Sequence, residues 1–203
     1  MTGRAEGVPT AAASAPDQRR GPTYRALVVD HGDLSGAHLD ALRVLFDGEY
    51  RATHGDWDPD RPYGYSPADV HTMLFHGSML VGHVGFQRRR VAVGTTEVCV
   101  AGTGGVLVHP ARRGEGAGRR VMSRAQETMR LDDRIEFGYL GCRPDVVSFY
   151  ESTGWSRVHA TERHVSMVTP GGTTASSDGP ILIFDASGSR WPQGEIDLRG
   201  TPW

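Results

Sequence analysis

The chain has 203 residues, of which 38% are hydrophobic and 23% charged, with a formal net charge of −2. That is enough for one globular domain with a sizeable core, and the slightly acidic balance excludes an ordinary nucleic-acid binder. No apolar run approaches the ~20 residues that cross a bilayer, the N-terminus lacks the apolar stretch of a secretory leader, and two cysteines, Cys99 and Cys142, are too few for a disulfide scaffold. A reduced, cytoplasmic protein with no membrane and no nucleic-acid partner is expected.

All 22 Lys+Arg residues are arginine, and asparagine is absent as well. Both missing amino acids use A-rich codons, so the bias reads as that of a high-G+C genome. It says nothing about chemistry.

Residues 1–22 are rich in Ala, Gly, Pro, Thr and Arg and cannot bury enough surface to offset their ordering entropy. They are expected to be a disordered tail ahead of a single domain over residues 23–203. That domain opens with a strand over Tyr24–Asp30. Ser35 can cap a helix whose apolar positions Leu39, Leu42, Val44, Leu45 and Phe46 recur at helical spacing. Glu49–Tyr65, with Gly, Pro, Trp, three Tyr and several acids, reads as a long structured loop, a feature usually functional in a compact domain.

The period then changes to strands. Thr72–His76, Met79–Val93 and Thr96–Val108, joined by Gly77-Ser78 and Gly94-Thr95 turns, predict an antiparallel meander. Gly114–Gly118 leads into a helix to about Arg130, followed by a strand over Ile135–Leu140 and a short helix over Asp145–Ser152 stopped by Gly154. Strands around Arg157–Val168 and Ile181–Asp185 close the pattern. The order predicts an α/β fold around one mixed sheet.

The most informative string is Val106-Leu107-Val108-His109-Pro110-Ala111-Arg112-Arg113-Gly114-Glu115-Gly116-Ala117-Gly118, which runs strand, turn, Gly-rich loop, helix. Unpaired amides at a helix start, together with the helix dipole, attract a phosphate. Glycines at 114, 116 and 118 would let the backbone approach it without a Cβ in the way. A Walker loop is excluded because it needs a lysine. The spacing G-x-G-x-G after an antiparallel meander does not fit a dinucleotide-binding fingerprint either.

The string resembles the acetyl-CoA signature of the GNAT superfamily of N-acetyltransferases, with Arg113, Gly116 and Gly118 at its fixed positions. The resemblance implies the GNAT fold, a central, mixed, mostly antiparallel twisted sheet flanked by helices. It implies acetyl-CoA as co-substrate, held by Val106, Leu107 and Val108 along the pantetheine arm and by Arg113, Gly114, Glu115, Gly116, Ala117, Gly118 and Arg119 around the pyrophosphate. Ser148-Phe149-Tyr150-Glu151-Ser152-Thr153-Gly154-Trp155 resembles the family's second signature. It puts Tyr150 where a phenol, with a reference pKa near 10, can protonate the departing thiolate.

Within that superfamily the chain resembles the aminoglycoside 2′-N-acetyltransferases through Gly55-Asp56-Trp57, His76-Gly77, Gln87-Arg88-Arg89 and the ending Arg199-Gly200-Thr201-Pro202-Trp203. This resemblance implies a small amine, an aminosugar antibiotic, as acceptor. It implies Asp56, Asp178, the terminal carboxylate of Trp203 and, by a looser match, Glu49 as partners of its ammonium groups. It is also compatible with a homodimer. One departure stands out. The family's glutamate on the fourth strand falls in Ala101-Gly102-Thr103-Gly104-Gly105, which has no carboxylate. The base is left open among Asp56, Glu49, the terminal carboxylate, a histidine and water.

Two other readings share these residues, an acetyltransferase for a peptide N-terminus, polyamine or other metabolite, and an acyl-CoA-binding domain without turnover. No metal is expected, since His71, His76 and His83 lack a metal-ligand spacing. Arg88-Arg89-Arg90 reads as a solvated face, and Cys142 as a residue near the thioester without an activating partner.

Overall fold

A computed structural model describes residues 23–167, 174–177 and 179–203. The expected tail over residues 1–22 and the candidate acid Asp178 lie outside the described residues.

The first strand, β1 (Tyr24–Asp30), leads to α1 (Gly36–His54). Ser35 caps α1 as expected, accepting a hydrogen bond from the His38 amide while the His38 ring takes one from the Ser35 amide. The helix continues through Glu49 to His54, a turn and more beyond the expected end, and stops at Gly55, whose φ of +81° suits glycine. Tertiary packing extends it, since the rings of Tyr50, His54 and Tyr63 meet there and the Trp57 amide is tied back to Asp47 at 2.7 Å.

The meander follows as β2 (Val70–His76), β3 (Met79–Val93) and β4 (Thr96–Val108), the last two with the expected bounds. Then come α2 (Ala117–Leu131), β5 (Phe137–Gly141) and α3 (Val147–Glu151). The remaining strands are β6 (Ser156–Val158), β7 (Glu162–Val165), β8 (Thr174–Ser177), β9 (Ile181–Asp185) and β10 (Ile196–Asp197).

All ten strands form one sheet, in the order β6-β9-β5-β4-β3-β10-β7-β8, with β2 also on β3 and β1 beyond it. The outer edge of β3 is therefore shared. Its first half pairs with β2, and Ala92–Val93 pair with β10. The single strand expected over Arg157–Val168 is instead two short ones, β6 and β7, which join opposite regions of the sheet although only residues 159–161 separate them. This connection curls the sheet and brings β7 over β5.

One face of the sheet packs against α2, through Val121, Met122, Ala125 and Met129 with Leu74, Val84, Phe86 and Leu140. On the other face the core is in two pieces. Leu42, Leu45 and Phe46 of α1 cover Met73, Phe75, Leu80 and Leu107. Val91, Val100, Phe137, Tyr139, Ile183 and Leu198 form the second piece, under Trp191 and Trp203. The space between these two pieces is the candidate site.

Candidate active site

Strands β4 and β5 pair only over Val100–Gly102 and Phe137–Tyr139 and then part. No described strand covers the β5-facing edge of β4 from Thr103 to Val108, so that edge is open to a ligand strand, although the Gly105 and Val108 carbonyls already have side-chain partners. Opposite β3 the register of β4 shifts by one residue between Gly104 and Leu107, with Gly105 at a φ of +58°. This is a β-bulge, which bends the strand at the point of parting. The gap opens into a cavity of about 660 Å³ whose walls include Phe46, Tyr50, Trp57, Tyr63, Phe86, Tyr139, Tyr150 and Trp203.

At the far end of β4 the chain turns through Pro110–Arg112 into the loop before α2. Gly114 and Gly116 have φ of +81° and +79°, left-handed values that L side chains rarely adopt, and the amides at the start of α2 follow directly. Gly118 has a different reason. A Cβ there would come within 3.2 Å of the Phe149 ring, so this glycine lets α2 seat closely against α3. The arginines are held in place. Arg113 bonds the Val108 carbonyl and pairs with Glu49 at 2.7 Å, and Arg119 bonds the Ser152 carbonyl at 2.6 Å.

Tyr150 is 8% exposed, lines the cavity and packs edge-on against Trp155. Burial, and after it the neighbouring Cys142, push its pKa above the ordinary 10.0, so the phenol keeps its proton and can donate it. Cys142 also lines the cavity, but burial raises its pKa above 9.0 and keeps it a thiol, which is unsuited to nucleophilic attack.

The C-terminus forms the opposite wall. After β10 the chain returns along β3 and is bolted down. The Ser66 amide donates to the Pro202 carbonyl at 2.9 Å, and Arg89 donates to the Leu198 and Thr201 carbonyls, to Ser66 Oγ and to Gln87. The Arg89 guanidinium also lies 4.2 Å from the Trp203 ring centre, and the indole N–H reaches Gln87 at 3.1 Å. The expected solvated face of arginines is thus corrected at its middle member, which is half-buried because it has the chain end to hold. Gly102 and Gly104 explain their stretch of β4. A Cβ on Gly102 would lie 1.9 Å from the Trp203 ring, and one on Gly104 would lie 2.6 Å from the Trp203 carboxyl carbon. The strand gives up side chains there so that the last residue can lie on it.

Among the described residues, Glu49 and Asp56 do not join Trp203. Glu49 is on α1, paired with Arg113 at the edge of the Gly-rich loop. Asp56 is exposed and paired with Arg51 at 2.7 Å, outside the cavity wall.

The cavity does contain a carboxylate that sequence reasoning missed. Glu162 of β7 is 6% exposed, lines the wall, accepts a hydrogen bond from the Tyr139 hydroxyl and bonds His164 Nδ1 at 2.9 Å. Burial, and then Glu162, push the Tyr139 pKa far up, so it donates and Glu162 accepts. The only signal in the sequence was a lone acid in a strand-like run, and nothing local shows that the curl of the sheet carries it to β5.

The sheet parted between β4 and β5, with a Gly-rich turn leading from β4 into α2, is the framework of the GNAT fold, and solved structures agree. Escherichia coli ElaA superposes with a TM-score of 0.55 at 21% identity, over 80% of this chain and 100% of its own. A GNAT family acetyltransferase from Brucella melitensis, solved with acetyl-CoA, gives 0.54 at 15% identity, over 85% and 94%. YhbS from Escherichia coli, a GNAT family N-acetyltransferase solved with CoA, gives 0.54 at 15%, over 90% and 94%. At these identities the likeness is one of fold. The chain belongs to the nodulation protein A (NodA) family, a family of acyltransferases, whose model matches residues 27–202. No curated protein sequence matches it.

Proposed function

We propose that the chain transfers the acetyl group of acetyl-CoA to an amino group of a small aminosugar, the aminoglycoside-type antibiotics being the first substrates to test. Membership of an acyltransferase family supports the reaction class. The observation that carries the acceptor is the buried carboxylate of Glu162, in the same aromatic-walled cavity as Tyr150. Buried anions need cationic partners, and aromatic walls suit the apolar faces of a sugar ring.

Acetyl-CoA supplies the activated thioester. The open edge of Val106, Leu107 and Val108 pairs with its pantetheine arm, and the amides from Gly114 to Arg119 face its pyrophosphate, with Arg113 and Arg119 held in place by their partners. Glu162 takes the proton that the acceptor ammonium must lose, with Tyr139 and His164 orienting its carboxylate. The freed amine attacks the thioester carbon, a C–N bond forms as the C–S bond breaks, Tyr150 gives its proton to the leaving thiolate, and the second proton that the nitrogen sheds on becoming an amide restores the phenol.

The test is thiol release from acetyl-CoA with aminosugars, polyamines and peptide N-termini offered side by side. Turnover on aminosugars, reduced at least tenfold in Glu162→Gln, is expected. Faster turnover on a peptide or polyamine would change the acceptor, and no release with any amine would overturn the enzymatic reading.

A further inference from the structure

Three of the histidines that the reaction as described leaves unused stand in a line under the β4 bulge. His31 Nε2 lies 3.2 Å from Asp60 Oδ1, and His31 Nδ1 lies 3.0 Å from His71 Nε2. His71 Nδ1 is 3.0 Å from His83 Nε2, and His83 Nδ1 is 2.7 Å from the Gly105 carbonyl oxygen. The line starts just after β1, crosses β2 and β3 and ends on the bulge.

The inner end dictates the protons. A carbonyl only accepts, so His83 carries its proton on Nδ1 and offers a bare Nε2. His71 must then donate from Nδ1, which leaves its own Nε2 bare to accept from His31 Nδ1. From His31 Nδ1 inward every bond therefore donates toward Gly105, through two neutral rings. Burial supports this assignment, since it lowers the His71 pKa to about 2 and that of His83 to about 4, the Gly105 bond opposing the second shift. The inner rings stay neutral across the working pH range.

A bulge leaves its extra residue without a cross-strand partner. His83 fills that vacancy from below. The fit is close, for a Cβ on Gly105 would come within 3.3 Å of the His83 ring and of Phe46. The residues held this way, Gly104, Gly105 and Val106, all line the cavity where β4 leaves β5.

We propose that His31, His71 and His83 are positioning residues whose hydrogen-bonded line fixes the Gly105 carbonyl, and with it the backbone of Gly104–Val106 against which the acyl group of the thioester lies. The placement of the acyl group rests on the acyl-transfer reading above; the hydrogen-bonded line does not.

The test uses the full chain with ¹⁵N-labelled histidine. Long-range ¹H–¹⁵N correlation should show His71 and His83 as neutral Nδ1–H tautomers from pH 6 to 9, and acetyl-CoA should move the His83 Nδ1 resonance more than CoA does. In turnover, His83→Leu should lower kcat about tenfold or more while acetyl-CoA affinity stays within about twofold, the pattern of a lost transition-state arrangement. His83→Asn, whose amide nitrogen can replace the Nδ1 donor, should recover most of the loss. An Nε2–H tautomer at His83, wild-type kcat in His83→Leu, or equal impairment of both variants would each overturn the proposal. If His83→Leu does not fold, the His83→Asn rate and the tautomers decide. If the wild type acetylates no amine, the acyl-transfer reading fails by itself. The positioning role then stands on an acetyl-CoA-specific shift at His83 and falls if CoA produces the same shift.

Discussion

The two walls of the cavity are built by opposite means. On the cofactor side the groups offered are backbone ones, the edge of β4 and the amides leading into α2, and they come from a nearly continuous run between Thr103 and Arg119. On the acceptor side they are side chains, with Arg89, Ser66 and Gln87 holding the Trp203 segment, and Tyr139 and His164 holding Glu162. A wall of backbone is indifferent to most side chains and is damaged only where a Cβ or a φ value intrudes. A wall of side chains is damaged by the loss of any one of them. The single residues between the walls should therefore matter most for rate, and each wall should fail in its own kinetic parameter.

Tyr150 stands between the walls and carries the largest expected effect. Tyr150→Phe should lower kcat about 10²-fold or more with unchanged acetyl-CoA affinity, as expected for a lost general acid. Its pKa is raised in the folded chain, so the protonated form that folding favours persists below pH 10 and is lost only as pH climbs through the folded value. The kcat of the wild type should accordingly show no alkaline fall below pH 10 that Tyr150→Phe abolishes. Such a fall, or wild-type kcat in the variant, removes Tyr150 from the chemistry.

Next in size is a substitution that breaks only the acceptor wall. Gly102→Ala places a methyl group where the Trp203 indole lies, with 1.9 Å between them, so the terminal residue must leave its seat. The acceptor KM should rise about tenfold, equivalent to ~1.4 kcal/mol, while the acetyl-CoA KM stays within about twofold. Equal rises in both would mean that the walls are not independent.

This pair of glycines also shows where the sequence could be read and where it could not. The strand, Gly-rich turn and helix of the cofactor wall are contiguous, so their spacing alone predicted β3 and β4 with their observed bounds and the start of α2 within a few residues. Gly102 and Gly104 were visible as a departure from the related enzymes, but their cause, a tryptophan about a hundred positions further on, has no local signature. Glu162 escaped notice for the same reason. The break between β6 and β7 is set by which strand edges remain open, a property of the assembled sheet. The histidine line is spread over three segments, and spacing alone, which argued only against a metal at His71 and His83, does not reveal it.

The cofactor wall can be broken at Gly116, with a smaller effect on rate. Gly116→Val puts a β-branched residue at a φ of +79°, a strain of about 1–2 kcal/mol or more, and the loop should relieve it by turning its amides away. Acetyl-CoA affinity should fall about tenfold by calorimetry, with the acceptor KM nearly unchanged. Unaltered affinity would separate the loop from cofactor binding. Gly118→Ala tests the packing role of the third glycine. Its methyl group meets Phe149 at 3.2 Å, so a lower melting temperature is expected ahead of any change in affinity.

The smallest expected effect is also the one that sets the geometry against the resemblance. The resemblance to the aminoglycoside 2′-N-acetyltransferases implies that an acid before a tryptophan in the first long loop binds the acceptor, and Asp56 has that sequence position. In the fold its carboxylate is exposed and paired with Arg51, whereas the tryptophan beside it turns inward and stacks on Phe46 with the rings 5° from parallel. Exposed pairs of this kind are worth about 0–1 kcal/mol, and the cavity wall does not include the residue. Asp56→Asn should leave the acceptor KM within about twofold, against a large change for Glu162→Gln measured with the same aminosugar. If the ranking is reversed, the acceptor sits over the Gly55–Tyr65 loop and outside the cavity, and Glu162 is a structural partner of Tyr139. Because both variants remove one carboxylate charge, general electrostatic attraction of a cationic substrate should affect them alike, and the ratio of their KM values isolates where the ammonium group is held.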